Sequence, residues 1–174
     1  MELGKYIACI CEGSAEQAII DILLDHELLI FRRENLIDEK VLRCRSAERF
    51  EQDYLRFGYT EPISVIRILD SRREKFKLSK AYISKVKVIN IITAPEIEML
   101  IILHEGQYKQ YKKSGKKPSE FCRAELKMRN VKQYDFVRDY FEDPSVLKAA
   151  IDEYSRISNV KKGEYTLQNI LRRE

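Results

Sequence analysis

Three short apolar runs, Lys5 to Cys11 (KYIACIC), Ile63 to Leu69 (ISVIRIL) and Val86 to Ile92 (VKVINII), are rich in β-branched residues, and stretches with helical spacing accompany them. Runs of this kind are strands buried on both faces, and strands separated by helices pair in parallel. The pattern therefore predicts an α/β fold, with a largely parallel central sheet flanked by helices. Ligands of such sheets gather at the carboxyl ends of the strands. Here the first run ends in Glu12-Gly13-Ser14 and the second in Asp70.

Around these runs the chain is punctuated by helix signals. Ser14 and Gln17 have capping-box spacing, and Ala18, Ile19, Ile22 and Leu23 predict a helix reaching about Asp25. Leu28 to Phe31 reads as a short strand, and Ser46 to Phe57 as a helix closed by Gly58. After the third strand, Thr93 and Glu96 form a second capping-box pattern around Pro95, opening a helix to about His104. Beyond Gly106 the chain turns polar and basic, with a loop expected around Ser114 to Pro118. Helices are then predicted over Ser119 to Met128, Tyr134 to Phe141, Ser145 to Ile157 and Thr166 to Arg173. At 174 residues the chain suits one domain. We read a core over about 1–106 and a basic, helical extension over about 107–174.

Composition narrows the function classes. Apolar residues make up 44% and charged residues 34%, which fits a folded, soluble chain. No apolar run approaches the roughly 20 residues that span a bilayer, and no secretory signal opens the chain, so a cytoplasmic protein without a membrane partner is expected. Cys9, Cys11, Cys44 and Cys122 form no CxxC pair and read as buried thiols. The formal charge of +4 is concentrated in Arg67, Arg72, Arg73, Lys75, Lys77 and Lys80, and again in Lys109, Lys112, Lys113, Lys116 and Lys117. Such clusters are ordinarily solvated surface. Tyr108 and Tyr111 interleave the second, as in sites for nucleic acid.

A carboxylate at the mouth of a buried strand is costly to desolvate unless water or a cation compensates it, which makes Glu12 the first functional candidate. Magnesium is commonly held by only one or two carboxylates, with waters and substrate phosphate oxygens completing its shell, so Glu12 and Asp70 would suffice. Arg72 and Arg73 follow Asp70 closely enough to steady an anionic substrate. Each residue also has a plainer reading. Glu12 and Glu98 can complement helix N-termini, an effect of about 0.3–1 kcal/mol. Asp70 can be a turn residue, and His104 can pack with Ile97, Leu100 and Ile101.

The order strand, Glu12-Gly13, helix, strand ending in Asp70, then Ala94-Pro95-Glu96-Ile97-Glu98-Met99-Leu100-Ile101-Ile102-Leu103-His104 resembles the TOPRIM-like RloB family. That family is related to the nuclease domains of overcoming-lysogenization-defect proteins. Its members carry a glutamate-glycine turn, an Asp-x-Asp turn, and an asparagine-proline stretch leading through an aromatic residue and glutamate into an apolar helix ending in histidine. The proline, glutamate and histidine fall here on Pro95, Glu98 and His104 without a gap. The resemblance implies a TOPRIM-like fold, Mg2+ or Mn2+ at Glu12 and Asp70, and nuclease activity in bacterial defence against phage or mobile DNA. It also implies an ATPase partner, and self-association is compatible with it.

The chain departs from the pattern at Asp70-Ser71-Arg72, where Arg72 replaces the second aspartate, and at Ala94, where the family has asparagine. A cation in place of a carboxylate lowers the local negative charge by two units and weakens metal affinity. Two functions are thus expected. In the first, a metal-dependent phosphodiesterase cuts DNA or RNA, with Glu12, Asp70 and Glu98 catalytic and Arg72, Arg73, Lys112 and His104 binding substrate. In the second, a catalytically silent module binds nucleic acid or a partner protein, with Arg72 in the place of the missing ion.

Overall fold

In the computed structural model, which describes residues 1–173, three strands form one parallel sheet in the order β1-β2-β3. They are β1 (Tyr6–Cys11), β2 (Ile63–Leu69) and β3 (Val86–Ile92). The three apolar runs thus became strands as expected. β2 is central, and all of its residues are buried. In register, Ile10 faces Arg67 and Arg67 faces Asn90.

Alternation along each strand divides the core between two faces. Ile7, Cys9, Cys11, Ile66, Ile68, Ile89 and Ile91 pack beneath the helices α1 (Ser14–Asp25), α3 (Met99–His104), α5 (Pro118–Ala124), α6 (Tyr134–Tyr140) and α7 (Pro144–Ile157). Ala8, Ile10, Ile63, Val65 and Val86 face Phe50 of α2 (Ala47–Tyr54), together with Leu78. Burial of these side chains is the main stabilising term, about 1.5–3 kcal/mol for each large aliphatic side chain. All four cysteines are buried and free, as expected. No helix among the described residues is long and apolar enough to cross a membrane.

Irregular segments cover both sheet edges, where exposed strands would invite wrong pairing. Leu36 and Leu42 bridge to β1, and Tyr165 bridges to β3, with Ile92 N donating to Tyr165 O at 2.7 Å. The second contact matters for the site. It returns the loop after α7 to the end of the sheet, next to the β2 terminus.

Several local expectations change. Neither of the two predicted capping boxes forms: α1 follows Gly13 without a side-chain cap, and Thr93 Oγ1 donates to Leu69 O at 3.0 Å, joining the ends of β2 and β3. α3 begins at Met99 instead of Glu96, and Pro95, joined to Ala94 by a cis peptide, lies before it. Leu28 to Phe31 is no strand; Leu29 makes one bridge to Leu171, and Leu28 O accepts from Arg172 N. Thr166 to Arg173 contains only a 3-10 turn, Leu167–Ile170. The basic stretch adds a helix, α4 (Tyr108–Ser114). Other signals hold, notably Ser46 accepting from Arg49 N at the start of α2, and Gly58 left-handed at φ 70° past its end.

Candidate active site

Because Glu12 continues the alternation of β1, it lies on the face shared by Ala8 and Ile10, at the strand mouth. One of its carboxylate oxygens, Oε1, is buried without a hydrogen-bond partner. Burial pushes the Glu12 carboxyl up to about 7, and hydrogen bonding and repulsion from Glu74, then repulsion from Asp70, add to the rise. Arg67 opposes it.

Arg67 was expected among the surface cations, yet it is 1% exposed. Its guanidinium lies 4.7 Å above the Phe76 ring and 3.3 Å from the Glu74 carboxylate, while Nε and Nη1 have no partner. A fixed buried cation thus stands behind the acidic group, holding Glu74 toward Glu12.

Across the sheet edge lies a second acidic pair. Glu16, in the first turn of α1, is buried, and its carboxylate folds against Gly13, where a Cβ would collide with it. Gly13 leaves room for this approach, although its own backbone is extended (φ −114°) and a larger residue would need only a shift of the flexible Glu16 carboxylate. Glu98, before α3, is 3% exposed; burial pushes its carboxyl up to about 7, Lys132 opposes the shift, and Glu96 and Glu16 add to it. Asp70 acts on both pairs, repelling charge on Glu12 and on Glu16. It joins the two faces of the edge. Glu96 is committed elsewhere: burial raises its carboxyl, but Ser119 N at 2.8 Å and Lys132 Nζ at 3.1 Å hold it below the usual range.

The remaining expected residues are distributed differently. Arg72 turns from Asp70 and donates to Glu164 Oε1 at 2.8 Å and to Asn159 O at 3.1 Å. It therefore does not stand in a missing ion's place, and instead ties the β2 terminus to the loop after α7. Arg73 is exposed, with its backbone N donating to Ser71 Oγ. Lys112 lies on α4 and lines the same cavity as Arg72. His104 is exposed at the opposite end of α3 from Glu98, edge-on to Tyr140 at 5.7 Å. Six helical residues set those ends about 9 Å apart.

Two cationic cavities flank the acidic edge. One of about 440 Å3 has Glu12 in its wall with Arg43, Arg45 and Arg49 around it. Arg43 also holds the start of α1 through Ser14 Oγ at 3.2 Å. The other, of about 580 Å3, lies between Arg72, Pro95, α4 and the end of α7. Sequence reasoning passed over Glu16, Glu74 and the arginines of residues 43–49. Their one visible signal is spacing: Glu16 and Glu74 each follow a predicted site acid by four residues.

Among the described residues, no three His, Cys, Asp or Glu side chains form a ready chelate. A hard cation that keeps several waters needs less. The orphaned Glu12 oxygen beside Asp70 and Glu74 fits a Mg2+ or Mn2+ ion held by one or two carboxylates. No protein-family model, curated protein or solved structure matches the chain.

Proposed function

We propose that this chain is a metal-dependent phosphodiesterase acting on DNA or RNA, a divergent TOPRIM-like protein of the RloB type serving in defence against phage or mobile DNA. The observation that carries the reading is the buried, unpartnered Oε1 of Glu12 at the mouth of β1, among the carboxylates of Glu74 and Asp70. The oxygen so placed has no hydrogen-bond partner, Arg67 only partly offsets the burial of the carboxylate, and a divalent cation would complete the compensation.

Glu12 and Asp70 would hold the ion, with Glu74 beside them. When bound, it would stabilise charge on the phosphate and lower the pKa of a water. The chain supplies the rest. Glu12, which burial and its acidic neighbours hold near 7 in the metal-free chain, would release its proton and ligate through the oxygen that the protein leaves unpaired. Arg45 and Arg49, on the wall of the Glu12 cavity, would hold the flanking phosphates, and guanidinium groups suit this role because their donors match phosphate geometry. Glu98 and Glu16 keep the far face acidic. Arg67 fixes Glu74 from behind.

The test is cleavage of labelled DNA and RNA with Mg2+ or Mn2+. Glu12→Gln and Asp70→Asn are expected to fold and to lose cleavage by about 100-fold or more. Wild-type rates in both variants would refute the proposal.

One observation favours a second reading, a binding module without turnover: no ready chelate of three acidic, histidine or cysteine side chains exists among the described residues. That module would show no thermal shift with metal. It would bind nucleic acid with an affinity falling steeply as salt rises.

A further inference from the structure

The cavity of about 580 Å3 beside the β2 and β3 termini is lined by tyrosines as well as cations. Its volume falls within the range of about 300–1,000 Å3 typical of sites that enclose a small ligand. Tyr108 and Tyr111 of α4 form one wall, their ring centroids 6.5 Å apart. Tyr111 is braced edge-on by Phe121 at 5.7 Å. Tyr154 closes another wall and is held there by its hydroxyl, which donates to Ala94 O at 2.6 Å.

Cations line the same space. Arg72 is neutralised by Glu164, but Lys112 and Lys161 are exposed and make no side-chain ion pair among the described residues. Lys161 is positioned through its backbone, whose N donates to Glu164 Oε2 at 3.0 Å. The Arg72–Glu164 pair thereby connects the cavity wall to the segment that follows Asp70.

We infer that this cavity receives an unpaired base of single-stranded nucleic acid, with Lys112 and Lys161 on its phosphates, and so selects single strands for the acidic edge beside it. The inference rests on the nucleic-acid reading of that edge and names its substrate class. A duplex keeps its bases stacked and paired, leaving no π-face to enter an aromatic cavity. A single strand can splay a base onto tyrosine at little cost. An open cleft walled by tyrosines, with unpaired lysines at its rim, suits the second.

The test is fluorescence anisotropy on the full chain in EDTA, with labelled single-stranded DNA, single-stranded RNA and blunt duplex DNA of one sequence. Single strands, of either or both chemistries, are expected to bind at least tenfold tighter than duplex. Tyr108→Ala should weaken single-strand binding about tenfold and leave duplex binding unchanged, and Tyr108→Phe should restore it. Lys161→Ala should lower the salt slope by about one. Equal or tighter duplex binding, an unaffected Tyr108→Ala protein with wild-type melting, or a mononucleotide competing as strongly as the oligonucleotide would overturn the inference. Because binding is read without metal, tight single-strand binding with no cleavage would sink the phosphodiesterase and keep this inference. Cleavage with equal affinity for duplex would do the reverse.

Discussion

Arg72 donates to Glu164 at 2.8 Å across 92 residues of sequence, and this pair decides how the departure from Asp-x-Asp is to be understood. The side chain that replaces an expected acid leaves the acidic group and anchors the loop following α7. Two residues after Arg72 stands a different carboxylate, Glu74, which Arg67 holds near Glu12.

Restoring the missing acid should therefore fail. Arg72→Asp is expected to leave Mn2+ affinity within about twofold, because position 72 faces the loop, and to place a like charge beside Glu164. Exposed pairs of this kind contribute about 0–1 kcal/mol, so global stability should fall little while amides of residues 159–164 exchange faster. Hydrogen exchange and calorimetric titration check both parts.

Removing the partner of Arg67 should cost far more. Arg67 is buried, with Glu74 its one ion-pair partner among the described residues. Glu74→Ala leaves a buried guanidinium uncompensated and is expected to destabilise the fold by about 3 kcal/mol, the low end for breaking a buried pair because Glu74 is itself partly exposed. Arg67→Met/Glu74→Ala should recover most of that loss, measured by urea unfolding.

The raised carboxyls of Glu12 and Glu98 set the pH dependence of stability. Each has a folded value of about 7 against 4.5 for the free side chain, so the folded state retains protons that the unfolded chain releases. Stability from these groups is fully present below about pH 4.5 and is lost as pH rises toward 7. Glu98→Gln is then expected to melt about 3–6 °C above the wild type at pH 8, and with it at pH 4.5. Scanning calorimetry at the two pH values distinguishes this from a general packing effect.

Much of the fold was legible because β-branched runs buried on both faces have few other solutions. Ile63 to Leu69 and Val86 to Ile92 became strands with the expected bounds. Glu12 and Asp70 were legible for the same reason, since parallel strands bring their carboxyl ends to one edge. Caps were less legible: Thr93 has a capping side chain, but the backbone of Leu69, distant in sequence, competes for it. Arg67 was misplaced because an arginine within a run of cations looks solvated, and only the fold reveals the Phe76 ring beneath it. Glu74, in a loop without periodicity, gave no sign beyond its spacing from Asp70.

The most direct measurement is a Mn2+ titration of the metal-free chain at pH 6 and pH 8, for the wild type and for Glu12→Gln. Ionisation of a carboxyl near 7 rises about tenfold between those values, so the wild type should bind Mn2+ about tenfold more tightly at pH 8, and Glu12→Gln should bind weakly at both. Wild-type affinity that ignores pH, or that survives in Glu12→Gln, would contradict the assignment of Glu12 as the carboxylate that holds the ion.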